Sequence, residues 1–161
     1  MKQLVEPKIV TKEKMVVVGM ECQTSNKEME ETNVMDQLWM NFMGAHEQIL
    51  HKTNPKVTYG FCYDYNEQKG GFRYLAAFEV DQVNLPNDQF ISKEIPSQKY
   101  LVFTHKGPAS TIGKAFNDIF NSYLPSTSYE VLNTPSFELY DERFLGPESP
   151  ESVIDIYIPI K

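Results

Sequence analysis

One order of hydrophobic periodicities occurs twice along this chain, and few folds accommodate that. "KMVVVGMECQ" (14–23) is β-branched and reads as a strand. Val34, Leu38, Phe42, Ala45 and Ile49 then recur every three or four residues, the spacing of a helix, with Trp39, Met43 and Leu50 broadening the stripe. "SNKE" (25–28) before them matches a capping box, with Ser25 as N-cap. Pro55 disfavours helical geometry at Asn54 and ends the helical stretch. "KVTYGFCYDY" (56–65) and "FRYLAAFEV" (72–80) read as two strands joined by the turn "NEQKGG" (66–71). The second pass begins with the strand "QKYLVFTHKG" (98–107). A helix opens at Gly107-Pro108, with Ile112, Ala115, Phe116, Ile119, Phe120 and Tyr123 as its apolar face, and Pro125 stops it. "SFELYDE" (136–142) and "ESVIDIYIPIK" (151–161) are its two strands.

The expected fold is therefore α+β. Two strand–helix–strand–strand modules, about 14–80 and 98–161, are related by a pseudo-two-fold axis. Antiparallel sheets carry the helices on one face and leave a cleft on the other. "FCYDY" (61–65) aligns over "ELYDE" (138–142) through a shared Tyr-Asp, which sets Phe61 against Glu138. Residues 1–13 read as an arm that pairs at an edge, 14–161 as one domain, and 81–97 as a polar, proline-interrupted connection.

Charge and cysteine usage narrow the function. Fifteen Lys and Arg against 22 Asp and Glu leave a formal net charge of -7, with no basic run. That argues against nucleic acid or an anionic membrane as partner. Cys22 and Cys62 stand far apart, without CxxC or zinc spacing, and His46, His51 and His105 are isolated, so no metal is expected. The glycine pattern holds no phosphate loop, and no cofactor is expected. The N-terminus lacks the apolar core of a signal peptide, and the chain reads as cytoplasmic.

Strand parity singles out Glu138. Ile154, Ile156, Ile158 and Ile160 share one face of the last strand, expected to lie under the helices, so Asp155 and Tyr157 point away from it. Phe137 and Leu139 form the apolar face of the neighbouring strand, and Glu138 and Tyr140 the other. Glu138, Tyr140, Asp155 and Tyr157 are thus expected together on the helix-free face. The first module adds Tyr59, Phe61 and Tyr63, with Tyr74 extending the wall. An aromatic cleft with a carboxylate at its floor attracts cations and apolar rings. It also keeps the acid protonated more readily, which suits a general acid or base. The plainer reading makes Glu138 a solvated strand residue, the tyrosines ordinary strand formers and Trp39 part of a helix core.

"YGFCYDY", "FRYLAAFEV", "YLVFTHKGP", "YLPSTSYEV", "PSFELYDERF" and "VIDIYIPIK", in this order, resemble the GyrI-like family over roughly residues 14–161. This is the small-molecule-binding domain also found as the effector-binding domain of bacterial transcription activators. The resemblance implies the duplicated fold read above. It also implies a cleft glutamate in the pattern aromatic–Glu–x–Tyr, here Phe137-Glu138-Leu139-Tyr140. Cleft aromatics carry over to Trp39, Tyr63, Tyr74 and Tyr157. With no room for a DNA-binding module before residue 14, the chain resembles a stand-alone member. Such members bind drug- or toxin-like compounds; some hydrolyse cyclopropane-bearing natural products, with the cleft glutamate in the catalytic role, and one inhibits or protects gyrase. The expectation is a binder of bulky apolar or cationic aromatic compounds, with hydrolysis and a protein partner (a regulator or gyrase) as open alternatives.

Overall fold

A computed structural model of the chain describes residues 6–66 and 70–161, without the side chains of Asn26, Glu30 and Asn66. The start of the expected arm (1–5) and the centre of the turn expected at 66–71 lie outside the described residues. Among the described residues eight strands form one antiparallel sheet: β1 (Lys8–Lys12), β2 (Met15–Ser25), β3 (Thr58–Asn66), β4 (Gly71–Val80), β5 (Ile91–Ile95), β6 (Gln98–Lys106), β7 (Ser136–Tyr140) and β8 (Val153–Ile160). Their order across the sheet is β1-β6-β8-β7-β3-β4-β2-β5. The two modules meet at the central β3–β7 pair, so they form one continuous sheet about the expected pseudo-axis.

The outer strands show how the repeats interlock. β1 directly precedes β2 in sequence but pairs with β6; β5 directly precedes β6 but pairs with β2. Each repeat therefore lends its leading strand to the other. β5 falls inside the stretch read from sequence as a connection. Only Ile91 and Ile95 of its five residues are apolar, too short an alternation to register as a strand. β1 supplies the edge pairing expected of the arm.

The α-helices of the described residues lie on the same face of the sheet: α1 (Asn26–Glu31), α2 (Val34–Gly44) and α3 (Ile112–Asp118). Ser25 accepts a hydrogen bond from the Glu28 N–H and caps α1 as its spacing predicted. The first helical stretch is shorter than the periodicity implied, and it is broken at Thr32. The Thr32 hydroxyl donates to the Glu28 carbonyl and accepts from the Val34 N–H, a local alternative to the helix ladder. α3 runs on through a π turn (Ile119–Tyr123) and a 3-10 turn (Leu124–Ser126). These wider and tighter turns reset the 3.6-residue period. Leu124 is thus buried and Phe120, expected in the apolar face, is exposed.

α1 and α2 cover β2 and β4, where Leu38, Phe42 and Ile49 meet Val18, Met20, Ala76 and Phe78. α3 covers β6 and β8 through Ile112, Ala115 and Ile119 against Leu101, Phe103, Ile154, Ile156 and Ile158. Burying each large aliphatic or aromatic side chain here contributes about 1.5–3 kcal/mol. The central strands β3 and β7 lie between the two helix-covered areas. Among the described residues no helix residue joins the core on the other face, where Tyr59, Phe61, Leu75, Tyr100 and Phe137 are buried together. Lys12 of β1 lies over the rings of Tyr157 and Phe137, and Lys93 of β5 over that of Tyr63. Edge strands that reach rings two and three strands inward require a sheet bent toward this face. Among the described residues no helix is long and apolar enough to cross a membrane.

Candidate functional site

The pairing register decides where Glu138 points. Across β3 and β7, Gly60 stands opposite Glu138 and Phe61 opposite Phe137. Directly opposed residues share a face. Glu138 therefore lies with Gly60, Cys62 and, through β8, Ile156, which is the helical face. This corrects the sequence expectation. The Tyr-Asp alignment set Phe61 against Glu138, one residue out of register, and a one-residue slip reverses every side chain. Pairing of β7 with β8 likewise opposes Phe137 to Tyr157 and Leu139 to Asp155, so Glu138 and Tyr140 leave the face of Asp155 and Tyr157.

The residues singled out by sequence thus divide into two sets. Glu138, Tyr140, Tyr74 and Trp39 gather on the helical face. Phe61, Tyr63 and Tyr157 do not join them. Tyr157 stacks on Phe137 at 4.3 Å between ring centroids, with Phe61 5.2 Å from the same Phe137. The Tyr63 hydroxyl donates to Glu21, which also accepts from Arg73 at 3.1 Å.

Glu138 is 6% exposed, and two tyrosine hydroxyls converge on one of its oxygens. Tyr74 Oη donates to Oε1 at 2.7 Å, and Tyr140 Oη donates to the same atom at 2.7 Å. Tyr74 reaches it from β4 by crossing Gly60 of β3. A Cβ at Gly60 would stand 1.9 Å from Tyr74 Oη and 2.8 Å from Glu138 Oε1. The glycine in "YGFCY" is therefore what lets a β4 tyrosine meet a β7 carboxylate. Among the described residues no donor reaches Oε2, yet no fully buried side-chain oxygen or nitrogen there lacks a partner.

Trp39 on α2 closes the group from above, edge-on to Tyr140 at 5.4 Å and to Tyr74 at 6.3 Å. Phe144 meets Tyr140 edge-on at 4.8 Å. It lies in the connection after β7 and was missed in the sequence, because no periodicity marks a loop residue. Burial pushes the Glu138 carboxyl up from the ordinary glutamate range, and the hydrogen bonds from Tyr140 and Tyr74 pull it back only in part. Burial, and then the Glu138 charge, hold both hydroxyls well above the ordinary tyrosine range, so they remain donors. Among the described residues no lysine, arginine or histidine pairs with Glu138. Nor do three His, Cys, Asp or Glu side chains gather there as a metal site requires. What the described residues form is an acid in aromatic surroundings, with both tyrosine donors on one of its oxygens and no countercharge among them.

A single antiparallel sheet built from two helix-bearing repeats is the architecture of an effector-binding domain. The chain belongs to the family described as "Cass2: Integron-associated effector binding protein", whose pattern matches residues 8–160. The transcriptional regulator BrlR of Pseudomonas aeruginosa is 37% identical over 153 residues, covering 95% of this chain and 54% of BrlR. The chain thus spans about half the length of that curated relative. Among solved structures, SAV2435 bound to tetraphenylphosphonium has the same fold, with a TM-score of 0.76 and 17% identity over 98% of this chain and 94% of that one. So does the integron cassette protein VCH_CASS2 from the mobile metagenome of Vibrio cholerae, with a TM-score of 0.71 and 18% identity over 98% and 97%.

Proposed function

We propose that this chain binds an apolar or aromatic monocation between its two helix-bearing repeats, with Glu138 as the countercharge. The observation that carries this reading is the buried Glu138 carboxylate, which two tyrosines orient and with which no lysine, arginine or histidine among the described residues pairs. A buried anion without a partner is unfavourable, and a ligand that brings a delocalised positive charge relieves it. Trp39, Tyr140 and Phe144 supply ring surface for the same ligand. One carboxylate balances one charge, which favours monocations over dications. Membership of an effector-binding family and the tetraphenylphosphonium held by SAV2435 support the reading. The relation to a transcriptional regulator supports a cytoplasmic setting.

Titration of Trp39 emission with tetraphenylphosphonium tests it. The parent is expected to show saturable quenching with the ligand recovered unchanged. Glu138→Gln, which keeps the shape and removes the charge, is expected to weaken binding more than about tenfold, or roughly 1–3 kcal/mol for a charge-assisted contact. Equal affinities reject the reading. Turnover of an electrophilic ligand, lost in Glu138→Gln, would instead mark the glutamate as a general acid or base.

A further inference from the structure

A third tyrosine stands near this site, and neither hydrogen bond to Glu138 uses it. Asp64 has a left-handed backbone, φ 55°, and the β3–β4 register shifts between Tyr63 and Asn66. That is a β-bulge, which inserts one extra residue and turns the next side chain to the other face. Strict alternation would send Tyr65 with Tyr63, away from the helices. The bulge instead brings Tyr65 to the helical face, where its ring lies 5.4 Å from Phe72 of that core. Along β3 Tyr65 lies beyond Cys62, which is buried on that face opposite the buried Ser136. Ser136 is two residues before Glu138 on the same face of β7, and Cys62 stands opposite Ser136.

Tyr65 is nevertheless 58% exposed. Packing against Phe72 on one side and exposure over the rest present an aromatic face at the Ser136 end of the strand that carries Glu138, with less rotamer freedom to lose on binding than a free side chain has. Trp39, Tyr140 and Phe144 stand toward the other end of β7. We propose that Tyr65 is the aromatic wall at the Ser136 end of the Glu138 site and determines its preference for ring-bearing over aliphatic cations. This inference rests on the reading of Glu138 given above.

The test compares two phosphonium ions of equal charge, tetraphenylphosphonium and tetrabutylphosphonium, by Trp39 emission in the parent, Tyr65→Ala, Tyr65→Phe and Glu138→Gln. Tyr65→Ala is expected to weaken the phenyl compound about tenfold and the butyl compound less than about threefold. Tyr65→Phe keeps the ring and is expected to stay within about threefold of the parent for both. A Tyr65→Ala variant that binds both ions as the parent does, or loses both equally, overturns the inference while Glu138→Gln still weakens binding. A parent that binds neither ion, or a Glu138→Gln variant that binds like the parent, overturns the reading of the site beneath it.

Discussion

Gly60 faces Glu138 across the central strand pair, and the space its missing side chain leaves is filled by the hydroxyl of Tyr74. A methyl group at Gly60 would force Tyr74 off Oε1 or bend the two strands apart. Gly60→Ala is expected to destabilise the fold by about 1–3 kcal/mol, as overpacking does. It is also expected to weaken cation binding through the displaced donor. Gly113→Ala is the contrast. Nothing stands within 4 Å of a Cβ there, and the position is helical, so it should gain about 0.5–1 kcal/mol. Urea unfolding midpoints of the two variants, moving in opposite directions, check both.

The Glu138 carboxyl binds its proton more tightly folded than unfolded, because burial disfavours the charge. An acid raised in this way stabilises the fold most at low pH, and that contribution is lost as pH rises through the window above the ordinary glutamate range. Glu138→Gln cannot titrate. Its melting temperature relative to the parent is therefore expected to climb as pH rises through and above the ordinary glutamate range, in the absence of ligand. A constant difference across that range would mean that Glu138 titrates as it does in the unfolded chain.

Tyr74 and Tyr140 donate to the same oxygen, so each supports the ionised form. Replacing either with phenylalanine removes a hydrogen bond to a charged group, worth about 1.5–3 kcal/mol. The acid then rises further. Tyr74→Phe and Tyr140→Phe are each expected to weaken monocation binding, and the loss should shrink as pH rises and ionisation recovers. Calorimetric titrations at two pH values measure this; a loss independent of pH would assign the tyrosines to packing alone.

Trp39 is the single tryptophan, and it touches both tyrosines that hold Glu138. Its emission therefore reports on this site and on no other. Trp39→Phe is expected to abolish the ligand-dependent signal while calorimetry still detects binding within about tenfold of the parent, because a smaller ring remains. Unchanged protein emission on saturation of the parent would place the ligand elsewhere.

The repeated order of elements was legible because each signal is local. The isoleucines of 154–160 alternate, the α2 stripe recurs at helical spacing, and Ser25 caps α1 within three residues of chain. The glutamate itself was legible too, as an acid placed amid aromatic strand residues. Its companions were only partly so. Tyr74, Tyr140 and Trp39 join it, whereas Phe61, Tyr63 and Tyr157 lie behind the sheet. Phe144 lies in a loop, and Tyr65 is brought round by a bulge at a non-glycine residue; neither leaves a periodic signature.

Alternation along a strand determines which side chains travel together, so the sequence alone paired Glu138 with Tyr140 and separated both from Phe137 and Leu139. It does not determine which face the helices cover. That depends on the register between β3 and β7, strands more than seventy residues apart, and a shift of one residue exchanges the faces. Only the assembled sheet, with Gly60 opposite Glu138 and Tyr74 crossing the gap, turned a strand carboxylate into a buried one held by two hydroxyls. Long-range pairing sets that environment, and the environment sets the charge.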